Sequence, residues 1–345
     1  MDLNQINQTI EQKIAHFMNL ISEQTNSDLN AQSFSRYKSW EWCYKYFQDH
    51  HDLTDFSNDE KESIIDTMAL HLAFYLASWG MYRGSSFLLQ RDYKAHIPAV
   101  KYILAIDEDS EGNLNQDLEK YGILWGFDPL SDDECNKAYK KLFGTDGEKG
   151  IYWKVKESYG KNCNDGTDET SQNEDKFADS EGSASETLVT KILLGTFGCL
   201  PAFDRYLKSG ISIYNDKYNS KKSNNWLDKS IECKNNKNLF IKLCELYNNH
   251  IKDNAIVLEN YPSLENYPPM KKVDMYFWEI GYEVDIQKQL KMAIDDIESN
   301  DKRSRKKINH LYSLLSKMKV DGFDSIDQSK KLEKIEDFAK HYQCL

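Results

Sequence analysis

One segment of the chain combines residue types whose order could support catalysis. Residues 186–210 carry an apolar helical pattern, then a glycine-bearing turn, a proline and an aspartate. Gly195 and Gly198 permit positive φ or close backbone approach, and Pro201 can start a new helix. Asp204 would then lie at or within the first turn of that helix, where the dipole favours an ionised carboxylate. Such a carboxylate can stabilise a cationic transition state or orient a water molecule, although the spacing by itself favours an ordinary residue at a helix N-terminus.

A second segment supplies groups suited to binding a nucleotide. Residues 78–86 read SWGMYRGSS, in which two glycines flank an aromatic side chain and an arginine. Arginine and hydroxyl groups can bind a base edge, a phosphate or an attached sugar. Lys191, upstream of Asp204, could face the same cleft, although a solvated lysine is more common. The candidate binding residues are Trp79, Tyr82, Arg83, Ser85, Ser86 and Lys191. The alternative for this segment is a helix end packed by Trp79 and Tyr82, with Arg83 at the surface.

The first segment resembles a known enzyme family. KILLGTFGCLPAFD, residues 191–204, is similar to the helix, turn, proline and aspartate order of the helix-hairpin-helix DNA glycosylase superfamily. YPPMKKVDMYFWEIG, residues 267–281, resembles the late helix of several divergent members. The hairpin that precedes the aspartate in this family is shorter in this sequence. It contains no lysine that would act as a nucleophile. The resemblance implies a monofunctional glycosylase that acts on DNA with Asp204 and water and needs no cofactor.

Base excision makes specific demands on such a site. Breaking an N-glycosidic bond builds positive charge on the sugar, so a nearby carboxylate lowers the barrier, and the base must first leave the stack. Backbone contacts could come from Lys221-Lys222, from Lys271-Lys272 and from the basic run at residues 301–307, although such clusters often form a solvated face. The Asn, Lys and Tyr content suggests an AT-rich microbial genome, in which a divergent glycosylase could defend against modified phage DNA.

Two rival functions come from other classes. Arg91 and His96 fit the R-x4-H pattern of the HEPN ribonucleases, in which the histidine would act on the 2′-hydroxyl of RNA and the arginine on the phosphorane. Pro98 interrupts the long helix on which that family presents the pair. The third hypothesis is a helical binding protein without catalysis, whose tyrosine-rich surface and acidic loop serve a partner.

The composition favours helices as the elements that position these residues. Apolar residues make up 40% of the 345-residue chain, whereas Gly numbers only 16 and Pro only 6, which suits long helices better than a turn-rich β-sandwich. We therefore predict an all-α, mainly helical fold with two helical subdomains and a cleft between them. The predicted helices cover residues 5–21, 35–48, 59–77 with Asn58 or Asp59 as cap, 99–106, 132–143, 187 onward, 237–249, 273–298 and 302–319. A polar turn is predicted at residues 107–113.

An acidic segment separates the predicted subdomains. Residues 157–186 hold nine acidic and two basic residues and too few apolar ones to offset the ordering of the backbone, so we predict a disordered loop there. The subdomains would then cover residues 1–156 and 187–345. The net charge of −12 argues against a protein that coats nucleic acid through its overall electrostatic field. Much of this negative charge lies in the acidic loop, so the rest of the chain could still form a local basic cleft.

Metal, disulfide and membrane functions have no support in the pattern. The seven cysteines are scattered, and none lies at zinc-ligand spacing, so we expect no metal site. The longest apolar run, from about Met68 to Trp79, is too short to span a bilayer. The first residues lack the basic-then-apolar order of a secretory signal, which predicts a cytoplasmic location.

Overall fold

The structure is a computed structural model, and it confirms the predicted mainly α-helical class. It describes residues 12–15, 17–18, 38–84, 86–145, 147–160, 184–219, 237–252, 266–297, 309–310 and 312. Within this part of the chain the only sheets are two short antiparallel pairs. No helix in the described ranges has the length and apolar character needed to cross a membrane.

The first elements are helices that bury one face each. Residues 12–15 and 17–18 are helical, and α1 (Ser39–Asp49) and α2 (Asn58–Ser78) follow. Ser57 caps α2, since its side chain accepts a hydrogen bond from the Glu60 amide while the Glu60 carboxylate accepts one from the Ser57 amide. The predicted cap at Asn58 or Asp59 is therefore wrong by one or two residues, because the reciprocal hydrogen bonds of the capping box join Ser57 and Glu60.

A hairpin replaces the end of the next predicted helix. Two 3-10 turns, Phe87–Gln90 and Tyr93–His96, lead into α3 (Ile97–Ile103), which has Pro98 in its first turn. Strand β1 (Ile106–Glu108) pairs with β2 (Leu114–Gln116), so the predicted polar turn is the loop of this hairpin. The helix ends at Ile103, and Ala105, with a φ of +51°, leaves the right-handed helical region before the first strand. The Asp109 carboxylate accepts backbone hydrogen bonds from Glu111 and Asn113 and stabilises the hairpin turn.

The middle of the chain contains a well-predicted helix. Helix α4 (Asp132–Phe143) begins and ends at the predicted residues, and Ser131 caps it. The short strands β3 (Gly144–Thr145) and β4 (Glu148–Lys149) connect it to α5 (Ile151–Gly160). Residues 157–160 belong to α5 rather than to the predicted acidic loop, because Tyr159 packs into the core. At the other end of that loop, Ala184 is buried, Ser185 is a helix cap and Glu186 begins a helix, so residues 184–186 are not part of a disordered loop either. Residues 161–183 lie outside the described residues.

The remaining helices carry the candidate catalytic segment. They are α6 (Glu186–Thr196), α7 (Arg205–Asn219), α8 (Lys237–Leu246) with a π-helical turn at Tyr247–Ile251, and α9 (Pro269–Ile297). Pro201 does not start a helix as predicted, because residues 201–204 run without helical hydrogen bonds and α7 begins only at Arg205. Of the predicted helix at 302–319, residues 309, 310 and 312 are described, and they are helical.

The buried apolar side chains of both predicted subdomains belong to one core. The cluster runs from Ile14 and Trp40 to Ile192 and Phe277 without a break between the two halves. A buried hydrogen bond also crosses it, since the indole nitrogen of Trp40 donates to the Leu194 carbonyl at 3.1 Å. Elements from both halves therefore pack into one core, and a site can draw residues from each.

Candidate functional site

A pocket of about 580 Å³ brings the two predicted segments together. Trp79 and Arg83 line it from the residues that follow α2, and Lys191 lines it from α6. Asp204 lies in the wall just before α7, and α9 contributes Trp278. The further lining residues are Ser78, Gly80, Met81, Thr187, Arg205, Tyr206, Tyr282, Gln289 and His310. This volume falls within the roughly 300–1,000 Å³ typical of small-molecule sites.

The Asp204 carboxylate has different partners on its two oxygens. Oδ1 accepts hydrogen bonds from the backbone amides of Tyr206 and Leu207 at 3.0 and 3.1 Å, so Asp204 is the N-cap of α7. Oδ2 accepts a hydrogen bond from Lys191 Nζ at 3.2 Å. Asp204 is thus both an ordinary helix cap and a carboxylate in a pocket wall, and the two interpretations made from its spacing are compatible.

Lys191 is not the solvated lysine that its type makes common. It is 3% exposed, because α6 is buried on all sides from Leu188 to Thr196. Its ammonium group lies 4.9 Å from the centroid of the Trp79 indole, within the range of a cation–π interaction. The side chain therefore balances the Asp204 charge at the edge of the pocket.

The turn that carries Asp204 is bound to α6 by two threonines. The Phe203 amide donates to Thr190 Oγ1 at 2.9 Å, and Thr187 Oγ1 donates to the Phe203 carbonyl at 2.9 Å. Gly198 has a φ of +71°, and a Cβ there would lie 2.5 Å from the Pro268 side chain. The predicted need for glycine in this turn is confirmed at Gly198.

A second ion pair, which the sequence analysis missed, lies behind this turn. Lys271 Nζ donates to Asp274 Oδ2 at 2.8 Å, and Asp274 Oδ1 accepts a hydrogen bond from the Ala202 amide at 3.0 Å. Burial raises the pKa of Asp274 above its usual value, and the adjacent Lys271 opposes that shift. The spacing of Lys271 and Asp274 within an otherwise apolar helical run was the signal that could have revealed the pair.

The predicted DNA contact at Lys271-Lys272 is wrong. Both lysines are buried, because the helix that carries them passes through the core with apolar residues on every side. The other two basic clusters, Lys221-Lys222 and residues 301–307, lie outside the described residues.

Aromatic side chains form one wall of the pocket. Trp278 stacks on Tyr282 with ring centroids 4.7 Å apart, and it meets Trp79 and Tyr206 edge to face at 6.2 and 5.0 Å. The Arg205 guanidinium lies over the Tyr206 ring at 4.5 Å. Trp79 and Tyr282 are partly exposed members of this wall, and an aromatic ring of this kind can pack against a planar ligand.

Not all of the predicted binding residues reach the pocket. The Tyr82 hydroxyl bonds to His96 Nε2 at 2.6 Å, and Ser86 caps the 3-10 turn at Phe87–Gln90, so neither is among the described lining residues. Ser85 lies outside the described residues. Of the predicted binding residues in that segment, Trp79 and Arg83 line the pocket, and Ser78, Gly80 and Met81 line it beside them.

The residues of the ribonuclease hypothesis are placed differently. His96 is completely buried, and its Nδ1 bonds to the Tyr159 hydroxyl at 2.6 Å while Nε2 bonds to Tyr82. Burial lowers the pKa of His96 to about 4. Arg91 is exposed. A histidine enclosed in this way has no free ring nitrogen to offer to an RNA hydroxyl.

Metal sites and relatives add no further constraint. Among the described residues, no group of three or more His, Cys, Asp or Glu side chains could hold a metal ion. Comparisons with protein-family models, curated proteins and solved structures found no match. The resemblance to the helix-hairpin-helix glycosylases therefore stays a prediction, and the function has to be argued from the pocket.

Proposed function

We propose that this protein is a monofunctional DNA glycosylase that excises a modified base by hydrolysis of its N-glycosidic bond. One observation carries the proposal. The Asp204 carboxylate is fixed at a helix N-terminus in the wall of a pocket that Trp79 and Arg83 also line. A base turned out of the DNA stack needs such a pocket, and its departure needs a carboxylate beside the sugar.

The reaction proceeds through charge that develops on the sugar. The bond between C1′ and the base nitrogen breaks with its electron pair leaving on the base, and the sugar becomes cationic. Asp204 stabilises this cation and orients a water molecule towards C1′. The water oxygen bonds to C1′, one of its protons is released through Asp204, and the base leaves with a proton. The products are a free base and an abasic site.

The other pocket residues have roles that follow from their chemistry. The partly exposed rings of Trp79 and Tyr282 offer aromatic surface against which the base can pack, and the Arg83 guanidinium can bind a phosphate or a base edge. Lys191 holds the Asp204 carboxylate in one orientation through its hydrogen bond. Because Asp204 is already held by two backbone amides, little reorganisation is needed when the cation forms.

An excision assay tests the proposal directly. Oligonucleotides with single damaged or modified bases, and phage DNA with modified bases, are incubated with the protein and then treated with alkali. We expect strand breaks at the modified base only after alkali, because water rather than an amine attacks C1′. The Asp204→Asn variant should lose at least about 100-fold in excision rate. An Asp204→Asn variant with full activity would contradict the role assigned to Asp204.

Matched variants separate chemistry from folding. Asparagine is a good N-cap, but Asp204→Asn leaves Lys191 buried without its carboxylate, which can destabilise the fold. The double variant Lys191→Met/Asp204→Asn removes both charges and keeps the cap. It should melt close to the wild type and remain inactive. Asp133→Asn, on the exposed first turn of α4, should keep full activity.

The same assay decides between this proposal and the two other functions. Cleavage of RNA that stops in His96→Ala, with DNA left intact, would favour the ribonuclease. No cleavage of either nucleic acid across the substrate panel would favour the helical binding protein.

A further inference from the structure

The buried pair Lys271–Asp274 is not explained by stability. Both side chains are 3% exposed, and Lys271 Nζ lies 5.0 to 5.1 Å from the ring centroids of Phe17, Trp40 and Trp79. Removing two charges from water is costly, and replacing a buried ion pair by apolar residues is often neutral or stabilising. The three ammonium–ring contacts offset part of this cost, and packing by itself gives no reason for an ion pair here rather than an apolar pair.

The second oxygen of Asp274 indicates what the pair does. Asp274 Oδ1 accepts the Ala202 amide hydrogen at 3.0 Å, two residues before Asp204. The threonines of α6 bind the same turn one residue later, at Phe203. Asp274 thus ties the turn to α9, the helix that also places Trp278 in the pocket wall. One carboxylate links the candidate catalytic turn to the aromatic wall.

The two ion pairs also share one aromatic ring. Lys191 Nζ and Lys271 Nζ lie 4.9 and 5.1 Å from the centroid of Trp79, which lines the pocket. The negative charge of Asp204 contributes to the raised pKa of Asp274, as expected for two carboxylates in one low-dielectric region. Lys271 provides the counter-charge that favours an ionised Asp274, the form that accepts the Ala202 hydrogen bond most strongly.

We propose that Asp274 is a positioning residue that holds Asp204 at the pocket wall, and that Lys271 is its counter-ion. Where it concerns excision, this inference rests on the proposed function. The hydrogen bond from Ala202 and its effect on the Asp204 turn do not depend on any activity.

Two double variants isolate the Ala202 hydrogen bond. Lys271→Met/Asp274→Asn and Lys271→Met/Asp274→Leu both remove the buried charges, but only asparagine keeps an oxygen that can accept from Ala202. We expect the asparagine variant to melt near the wild type and the leucine variant to melt a few degrees lower, because the buried Ala202 amide loses its acceptor. In single-turnover excision, the asparagine variant should stay within about threefold of the wild type, and the leucine variant should fall roughly 10- to 100-fold with unchanged DNA affinity.

An activity-independent measurement distinguishes failure of this inference from failure of the proposed function. The amides of Tyr206 and Leu207 donate to Asp204, so their resonances report where its carboxylate lies. In protein labelled with ¹⁵N-Tyr and ¹⁵N-Leu, these two resonances should move in the leucine variant and stay in place in the asparagine variant. Unmoved resonances in the leucine variant overturn the inference even if the wild type excises bases.

The role of Asp274 can still be tested if the wild type is inactive or if the leucine variant does not fold. If the wild type excises nothing, the proposed function fails, and the amide resonances still test the role of Asp274. If the leucine variant does not fold, Lys271→Met/Asp274→Ala replaces it, since alanine leaves a cavity instead of a clash. The same shifts are then expected, and their absence has the same meaning.

Discussion

At the scale of single residues, Asp204 performs two functions with one side chain. Oδ1 caps α7 through two amides, and Oδ2 faces Lys191 at the pocket. A cap is normally exposed to solvent, whereas this one is largely buried beside an ammonium group. The cap fixes the orientation of the carboxylate before any ligand arrives, which is the preorganisation that electrostatic catalysis requires.

His96 leads to a prediction about stability and pH. Its pKa is about 4 in the folded protein and about 6.5 when exposed, because burial disfavours the charged imidazole. The unfolded chain therefore binds a proton that the folded protein does not bind as the pH falls from 6.5 to 4. The contribution of neutral, buried His96 to the free energy of unfolding is fully present above pH 6.5. It is lost progressively as the pH falls towards 4, by about 3 kcal/mol.

Urea unfolding at pH 7 and pH 4 measures this loss. The wild type should lose about 3 kcal/mol more than His96→Gln over that range, since glutamine does not titrate. His310→Gln, at an exposed position, should behave like the wild type. An equal pH dependence for the wild type and His96→Gln would mean that burial does not lower the pKa of His96.

At the scale of elements, two glycines let α7 and α9 approach closely. A Cβ at Gly210 would lie 2.0 Å from the Phe277 carbonyl oxygen, and one at Gly281 would lie 1.9 Å from that of Tyr206. Both obstacles are backbone atoms, which cannot move aside as a side chain can. The close contact holds the start of α7, where Asp204 lies, against the helix that carries Trp278.

Substitution at this contact should destabilise the protein. We expect Gly281→Ala to lower the free energy of unfolding by about 3 kcal/mol, because α7 must move away from α9. Urea unfolding measures the change. Gly122→Ala is the matched control, since nothing lies within 4 Å of its Cβ, and it should change stability by less than about 1 kcal/mol. A Gly281→Ala variant as stable as this control would show that the two helices are not held together there.

At the scale of the whole molecule, the continuous core predicts cooperative unfolding. Apolar side chains from residues before and after the acidic segment form one cluster, and the pocket is lined from both sides. Unfolding one half would expose the apolar surface of the other. We therefore expect far-UV circular dichroism and tryptophan fluorescence to report the same single urea transition. Two separated transitions would indicate halves that fold independently.

Much of the helical framework could be predicted because its signals are local. Helix α4 lies at the predicted residues, since a serine cap, acidic first turn and apolar period all occur within 13 residues. The boundaries that failed depended on competing local bonds, such as the Ser57 capping box and the Asp109 turn that favours a hairpin over a longer α3. The alternative helix boundaries differ by one or two hydrogen bonds. The spacing of apolar residues carries no information about such bonds.

The sequence by itself determined which residues could serve the site, and the tertiary structure decided which of them line the pocket. The order of glycine, proline and aspartate was enough to select Asp204, because capping and dipole effects are local to a helix end. Burial decides the alternatives that the spacing left open. Lys191 is paired rather than solvated, Tyr82 contacts His96 rather than the pocket, and Lys271 contacts Asp274. Burial is decided by the packing of helices far apart in sequence, and no local spacing encodes it.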